Sequence, residues 1–293
     1  MLDSQHLNWN AEALWQRLEP LLPGLSVEVL ARADSTNTRL LDHARHAGSR
    51  VADGATQPGE LPGASLRRRA ADVQPCLLVA EQQTSGRGRM GRNWLSSPGA
   101  SLTFSLSLPL ALEDWSGLSL AVGLALAEAL DPCAATALPR IHLKWPNDLW
   151  LLDAPGRGRK LGGILIETVS LGERRLCVVG VGLNVAPQAV QGLSHGFACL
   201  QELLPAITAP AVLERVAEPL VRELLRFQAG GFAPCAVAYA RRDLLRGQAV
   251  TTTLDEVPQG VAEGVDERGA LLVRDGGLHH VVSGEVSVRL RPG

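Results

Sequence analysis

Four short segments hold the side chains of this 293-residue chain that could do chemistry. The first runs from Gln82 to Trp94 and carries Gly86, Arg87, Gly88, Arg89, Gly91 and Arg92 in an alternating run. Glycines let backbone N–H groups face an anion, and arginines add bidentate contacts to phosphate oxygens. The second is Lys144-Trp145-Pro146-Asn147-Asp148. Strand alternation puts His142 and Lys144 on one face, and Pro146 forces a turn that presents Asn147 and Asp148. A carboxylate on a turn can hold Mg²⁺ together with substrate phosphates. The third, Gly156 to Glu167, is a basic loop leading into Gly162-Gly163, where another group could approach the backbone. Lys160 there would neutralise a carboxylate or the charge developing on a phosphate. The fourth is Gly180-Val181-Gly182-Leu183-Asn184, whose asparagine both donates and accepts.

Each segment also has a plain structural reading: a solvated basic loop, an Asn-Asp turn, an exposed hairpin and a capped strand end. Residue usage favours chemistry. Of 28 basic residues only Lys144 and Lys160 are lysine, in a chain that otherwise writes arginine. Ammonium and guanidinium are not interchangeable at tight sites. Four of the six asparagines, Asn37, Asn93, Asn147 and Asn184, fall in or beside segments of interest.

Several function classes are disfavoured. Gly86-x-Gly88-x-x-Gly91 spells a dinucleotide fingerprint, but Asn93 to Gly99 does not open the helix that fingerprint needs. Gly192-Leu193-Ser194-His195-Gly196 spells a nucleophile elbow, yet Pro187 to Gln191 separates it from the preceding strand. His279-His280 would supply a base only by coincidence. The net charge of −2 argues against a large nucleic-acid-binding surface. Five scattered cysteines, Cys76, Cys133, Cys177, Cys199 and Cys235, suit neither a disulfide framework nor a zinc site, and fit a reducing cytoplasm. No signal peptide is evident, and Gly117 to Leu130 is too short to span a membrane.

The elements carrying these segments follow from periodicity. A short amphipathic helix is expected over 8–22 and a strand over Ser26 to Arg32. A helix from Asp34-Ser35-Thr36-Asn37 to His46 would be capped by Asp34 or Ser35. Residues 48–75, rich in Gly, Pro and Ala, read as a mobile surface insertion. Cys76 to Glu81 reads as an apolar strand, Gln82 to Pro98 as a loop, Ser101 to Leu108 as a half-buried strand, and Gly117 to Leu130 as a buried helix. Four strands follow: Ile141 to Leu143, Leu149 to Leu152, Leu161 to Val169 and Leu176 to Val185. Helices are expected over Ala211 to Phe227 and Phe232 to Arg242. From Gln248 on, short strands with glycine turns suit a small β-barrel. The fold class is α+β, with a mixed, largely antiparallel sheet, and the domains are 1–245 and 246–293.

Two basic glycine loops, a Mg²⁺-binding carboxylate and two lone lysines suit the activation of a carboxylic acid by ATP. Both reactants are anionic, so cations must offset their repulsion in the transition state. An acyl-adenylate also needs shielding from water.

Five ordered motifs resemble bacterial biotin–protein ligases: Asp34-Ser35-Thr36-Asn37, the Gln83 to Trp94 loop, Lys144 to Asp148, Lys160-Leu161-x-Gly163-Ile164-Leu165, and Gly180-x-Gly182-x-Asn184. Gly284 to Arg289 resembles that family's last strand, so the resemblance spans roughly residues 30–290. It implies a class II synthetase-like catalytic domain and a C-terminal SH3-like barrel. The implied reaction makes biotinyl-5'-AMP from biotin and ATP, with Mg²⁺. The acyl group then passes to a lysine of a biotin carboxyl carrier protein, such as that of acetyl-CoA carboxylase. Ser35, Thr36, Asn37, Gln83, Gly86, Arg87, Gly88 and Arg89 would bind biotin. Lys160, beside Gly163, would hold its carboxylate. Arg89, Arg92, Trp94, Asn147, Asp148, Asn184, Phe197 and Arg289 would serve ATP, with Asp148 nearest the metal. Lys160, Arg89 and Asp148 would be the catalytic side chains. About 25 residues precede the first strand, too few for a helix-turn-helix domain, so no operator binding is expected. A monomer or homodimer free of nucleic acid and membrane is implied. Within the superfamily, a lipoate or octanoate ligase or transferase is the alternative. Outside it, the rivals are a dinucleotide oxidoreductase and a non-catalytic nucleotide-binding regulator.

Overall fold

Buried strands and the helices that cover them dominate the computed structural model, which describes residues 7–52, 74–134, 137–153, 157–171, 174–188, 196–282 and 289–290. Seven strands hydrogen-bond in the order β1-β2-β5-β9-β8-β7-β6. They are β1 (Ser26–Ala33), β2 (Cys76–Gln83), β5 (Ser101–Pro109), β6 (Ile141–Lys144), β7 (Asp148–Asp153), β8 (Arg157–Leu171) and β9 (Arg174–Asn184). Only β1 and β2 are paired parallel among the registers described, so the sheet is mixed and largely antiparallel, as expected.

The chain divides into two compact units, and β8 runs through both. The first comprises 1–111, 165–186 and 206–214. It holds α1 (Ala11–Leu18), α2 (Thr36–Ala52) and the strands β1, β2, β5 and β9. Leu40, Leu41 and Ala44 lie at helical spacing on α2 and pack on Leu78, Leu176 and Val178 of β2 and β9. Strand β5 departs from expectation. Its hydroxyl-bearing face, Ser101, Thr103, Ser105 and Ser107, is as buried as its apolar face. Helix α2 continues to Ala52, so the first residues of the expected insertion are helical; residues 53–73 of it lie outside the described residues.

The second unit comprises 112–164, 187–205 and 215–293. Its helices are α3 (Leu118–Leu130), most of α4 (Ala209–Gly230), and α5 (Ala236–Ala240). Helix α3 packs on the sheet at Gly123, where an added Cβ would stand 3.2 Å from Leu143 and 3.4 Å from Ile164. The segment read as a Gly-Arg loop belongs to β8 from Arg157 onward. The small β domain is present as an antiparallel sheet of order β13-β12-β11-β10-β14. Its strands are β10 (Ala249–Thr251), β11 (Gln259–Val265), β12 (Leu271–Asp275), β13 (Gly277–Val281) and β14 (Arg289–Leu290). All five cysteines are free thiols. Among the described residues no helix is long and apolar enough to cross a membrane.

Candidate active site

In the first unit, Asp34 to Asn37 leaves β1 and starts α2. Ser35 caps that helix: its Oγ accepts from Thr38 N–H at 3.4 Å and its carbonyl accepts from Arg39 N–H. The helix start buries Ser35, Thr36 and Asn37, whose polar atoms then need partners. Gln83 Oε1 accepts Thr36 N–H at 2.7 Å. Asn37 Nδ2 donates to Leu165 O at 3.1 Å and to Glu167 Oε2 at 2.9 Å. Two acceptors fix the amide's orientation, so Asn37 Oδ1 can only accept. Ser105 Oγ lies 2.6 Å from both Asn37 Oδ1 and Thr36 Oγ1. Its single proton must go to Asn37, and Thr36 must therefore donate to Ser105. Thr36 Oγ1 keeps acceptor capacity. Gln83 Oε1 stands 3.2 Å from Thr36 Oγ1, a longer second acceptor for the same hydroxyl.

The Gly-Arg segment is a hairpin rather than an open loop. Strands β3 (Gly86–Arg87) and β4 (Asn93–Trp94) pair antiparallel around a 3₁₀ turn at Arg89–Gly91. No helix opens there, which removes the dinucleotide-fingerprint reading. Arg87 ties the hairpin down: it donates to Thr38 Oγ1 at 3.2 Å and pairs with Glu167 Oε1 at 2.9 Å. Arg89 is half-buried and Arg92 exposed. Gly180 and Gly182 allow close approach by protein groups. A Cβ on Gly180 would lie 2.2 Å from Asn37 Oδ1, and one on Gly182 would lie 2.5 Å from the Trp94 ring. Asn184 is buried at the end of β9, opposite Ser101.

In the second unit, the turn between β6 and β7 is held at several points. Trp145 Nε1 donates to Gly269 O at 3.0 Å, Ser119 Oγ to Pro146 O at 2.8 Å, and Asn147 Nδ2 to Ile164 O at 2.7 Å. Lys160 Nζ stands 2.8 Å from Asp148 Oδ1. A bulge makes that pair possible. Asp148 faces Gly163 across the sheet, but after the bulge Trp150 faces Lys160. Without the extra residue, alternation would put Lys160 on the face opposite Asp148. Lys144 pairs in register with Asp148, so both lysines of the chain share the carboxylate's face. Lys144 is buried with its ammonium 4.9 Å from the Trp150 ring centroid. Burial holds His142 below the usual imidazole value, in keeping with a structural role.

Phe197 is half-buried and lies beside Lys160 in a short parallel bridge. The backbone of Arg289 pairs with Thr251, and its side chain lies outside the described residues. So do Ser194 and His195 of the elbow-like pentapeptide. His280 of the His pair binds Asp266 at 2.9 Å. Among the described residues no three His, Cys, Asp or Glu side chains cluster as a metal cage. Asp148, a single carboxylate whose Oδ1 pairs with Lys160, would suit a Mg²⁺ ion held mainly by substrate phosphates.

Residues 68–184 match the biotin/lipoate A/B protein ligase family, and residues 246–289 match the biotin protein ligase C-terminal domain. The bifunctional ligase/repressor BirA of Salmonella typhimurium is 33% identical over 280 residues, 93% of this chain and 77% of that protein. The chain belongs to the biotin protein ligase family. The biotin–[acetyl-CoA-carboxylase] ligase of Mycobacterium tuberculosis is 35% identical over 254 residues, 83% of this chain and 91% of that one. The biotin protein ligase of Aquifex aeolicus, solved in complex with biotin and ATP, superposes with a TM-score of 0.67 at 28% identity, covering 91% of this chain and 99% of the other.

Within this biotin protein ligase fold, the structure adds residues that the sequence reading passed over. Ser105 and Glu167 orient Asn37, and Arg159, Asp153 and Glu202 form a cluster of their own. The alternating hydroxyls of β5 were visible in sequence, but their burial was not.

Proposed function

We propose that this chain activates biotin as biotinyl-5'-AMP and transfers it to one lysine of a biotin carboxyl carrier protein, such as that of acetyl-CoA carboxylase. The observation that carries the chemistry is the Lys160–Asp148 pair, 2.8 Å apart on a face that also holds Lys144. In the first step a biotin carboxylate oxygen attacks the α-phosphorus of ATP and pyrophosphate leaves. Lys160 holds that carboxylate and offsets the charge that builds on the phosphate. Asp148 accepts the Lys160 ammonium before substrate arrives and, with ATP bound, is the residue that would hold Mg²⁺, which supplies charge neutralisation. In the second step the carrier amine attacks the acyl carbon and AMP leaves.

The fixed network of Thr36, Ser105 and Gln83 suits a ligand with both N–H and C=O groups on a small ring, as in the ureido end of biotin. Asn37, whose hydrogen bonds run inward, supports Thr36 through Ser105. The Gly86 to Arg89 backbone completes that recognition. Arg89, Arg92, Trp94, Asn147, Asn184, Phe197 and Arg289 serve the nucleotide. Residues 1–245 form the catalytic part and 246–293 a C-terminal domain. Five free thiols suit a reducing cytoplasm.

ATP–pyrophosphate exchange with purified protein and Mg²⁺ tests the reading, comparing biotin, lipoate, octanoate and no acid. Exchange that depends on biotin alone is expected. Exchange driven by lipoate or octanoate would move the substrate, and none with any acid would overturn the ligase reading.

A further inference from the structure

Arg159 sits next to Lys160 on β8, but alternation sends it to the other face. All five of its N–H groups are used. Nε and Nη2 donate to Asp153 Oδ2 and Oδ1 at 2.7 and 2.6 Å. Nη2 and Nη1 donate to Glu202 Oε2 and Oε1 at 2.6 and 3.1 Å. Nη1 also donates to Phe197 O at 2.7 Å. Asp153 lies diagonally across the β7–β8 ladder, so it holds the guanidinium to the sheet. Glu202 and Phe197 belong to the segment that follows Gly196. Both carboxyls are held below the usual range by this guanidinium.

The same segment is bound to the main chain of Lys160. Lys160 N–H donates to Gly196 O at 3.4 Å and Ala198 N–H to Lys160 O at 3.0 Å. Glu202 Oε1 further accepts Cys199 N–H at 2.9 Å. Gly196 has φ +64°, and a Cβ there would lie 2.9 Å from Arg159 Cγ, so the backbone passes hard against the Arg159 stem. Residues 196–199 are thus gripped on one side by Lys160 and on the other by Arg159.

We propose that Arg159 is a positioning residue for the nucleotide. It touches no reacting atom; it fixes where Phe197 stands beside Lys160, through Glu202 and the Phe197 carbonyl. This rests on the ligase reading above. A lysine cannot replace it, because an ammonium has no planar fork to serve two carboxylates and a carbonyl.

The test uses the full-length protein with Arg159→Ala, Arg159→Lys and the milder Glu202→Gln. Biotin-dependent ATP–pyrophosphate exchange and amide hydrogen exchange without ligand are both measured. Arg159→Ala is expected to raise the KM for ATP about tenfold or more. The KM for biotin should stay within about twofold. The Ala198 and Cys199 amides should exchange faster. Arg159→Lys should resemble Arg159→Ala, and Glu202→Gln should shift the same readouts less. Unchanged amide exchange, or equal changes in both KM values, would overturn the proposal. If Arg159→Ala does not fold, Glu202→Gln decides by the same two readouts. The amide readout needs no substrate. Loss of biotin-dependent exchange in the wild type would therefore remove the ligase reading while the amides still decide whether the clamp exists.

Discussion

The two units handle polarity in opposite ways. Around Thr36 the groups are uncharged, buried and joined by directional hydrogen bonds, and only at Glu167 does the network end on an ion pair, with Arg87. Around Asp148 the groups are charged: Lys160 at 2.8 Å, Lys144 in register, and Arg159 on the reverse face of β8. A neutral network specifies shape, because its hydrogen bonds are directional and a ligand must match what is left over. A charged face specifies sign and tolerates exchange of partners as charge moves. Recognition of a ring that does not react suits the first. Chemistry in which anionic oxygens change bonding suits the second.

The largest expected effect breaks the charged side. Lys160→Ala should lower biotin-dependent pyrophosphate exchange by roughly 10²–10³-fold or more while the melting temperature changes little. Near-normal exchange would show that sign at this face does not matter. A smaller effect breaks the neutral side. Ser105→Ala removes the donor to Asn37 Oδ1 and the acceptor for Thr36. It should cost about 1–3 kcal/mol of stability and raise the KM for biotin, with little change in the KM for ATP. Loss of stability with an unaltered KM for biotin would reduce the network to a packing device.

The smallest effect isolates a charge that lacks a full set of partners. Asp243 Oδ1 accepts Leu245 N–H at 2.9 Å, whereas Oδ2 is buried with no hydrogen-bond partner among the described residues. Burial pushes this carboxyl up to about 6. The folded value lies above the unfolded one near 3.9, so the folded protein binds the extra proton between them. Stability is therefore fully present below about pH 4 and is lost as pH rises through about 6. Asp243→Asn should raise the melting temperature by a few degrees at pH 8 and by nothing near pH 4. A gain that does not depend on pH would show that burial, and not charge, sets the cost there.

Much of this was legible in the residues. The helix start at Ser35, the buried α3, the paired strands and the glycine-punctuated β domain all follow from capping, periodicity and turn chemistry, which are local. The candidate residues were also legible, because lysine and asparagine are rare here and cluster in the motifs. The hairpin at Gly86 to Trp94 was not, since its strands are two residues each and rest on tertiary support such as the Arg87–Glu167 pair.

What the residues determined alone was which groups are available: two lysines, a turn carboxylate, a run of arginines and glycines, and an Asp-Ser-Thr-Asn helix start. Composition and local pattern carry that information directly. Which groups meet was decided only by the tertiary structure. One extra residue in β8, Leu161 opposite the step from Leu149 to Trp150, turns Lys160 onto the face of Asp148. Burial of β5 from both sides makes Ser105 a relay instead of a solvated hydroxyl. A parallel bridge at Phe197 gives Arg159 something to grip. Each depends on register between segments distant in sequence, and a shift of one residue would reverse the face that every side chain presents.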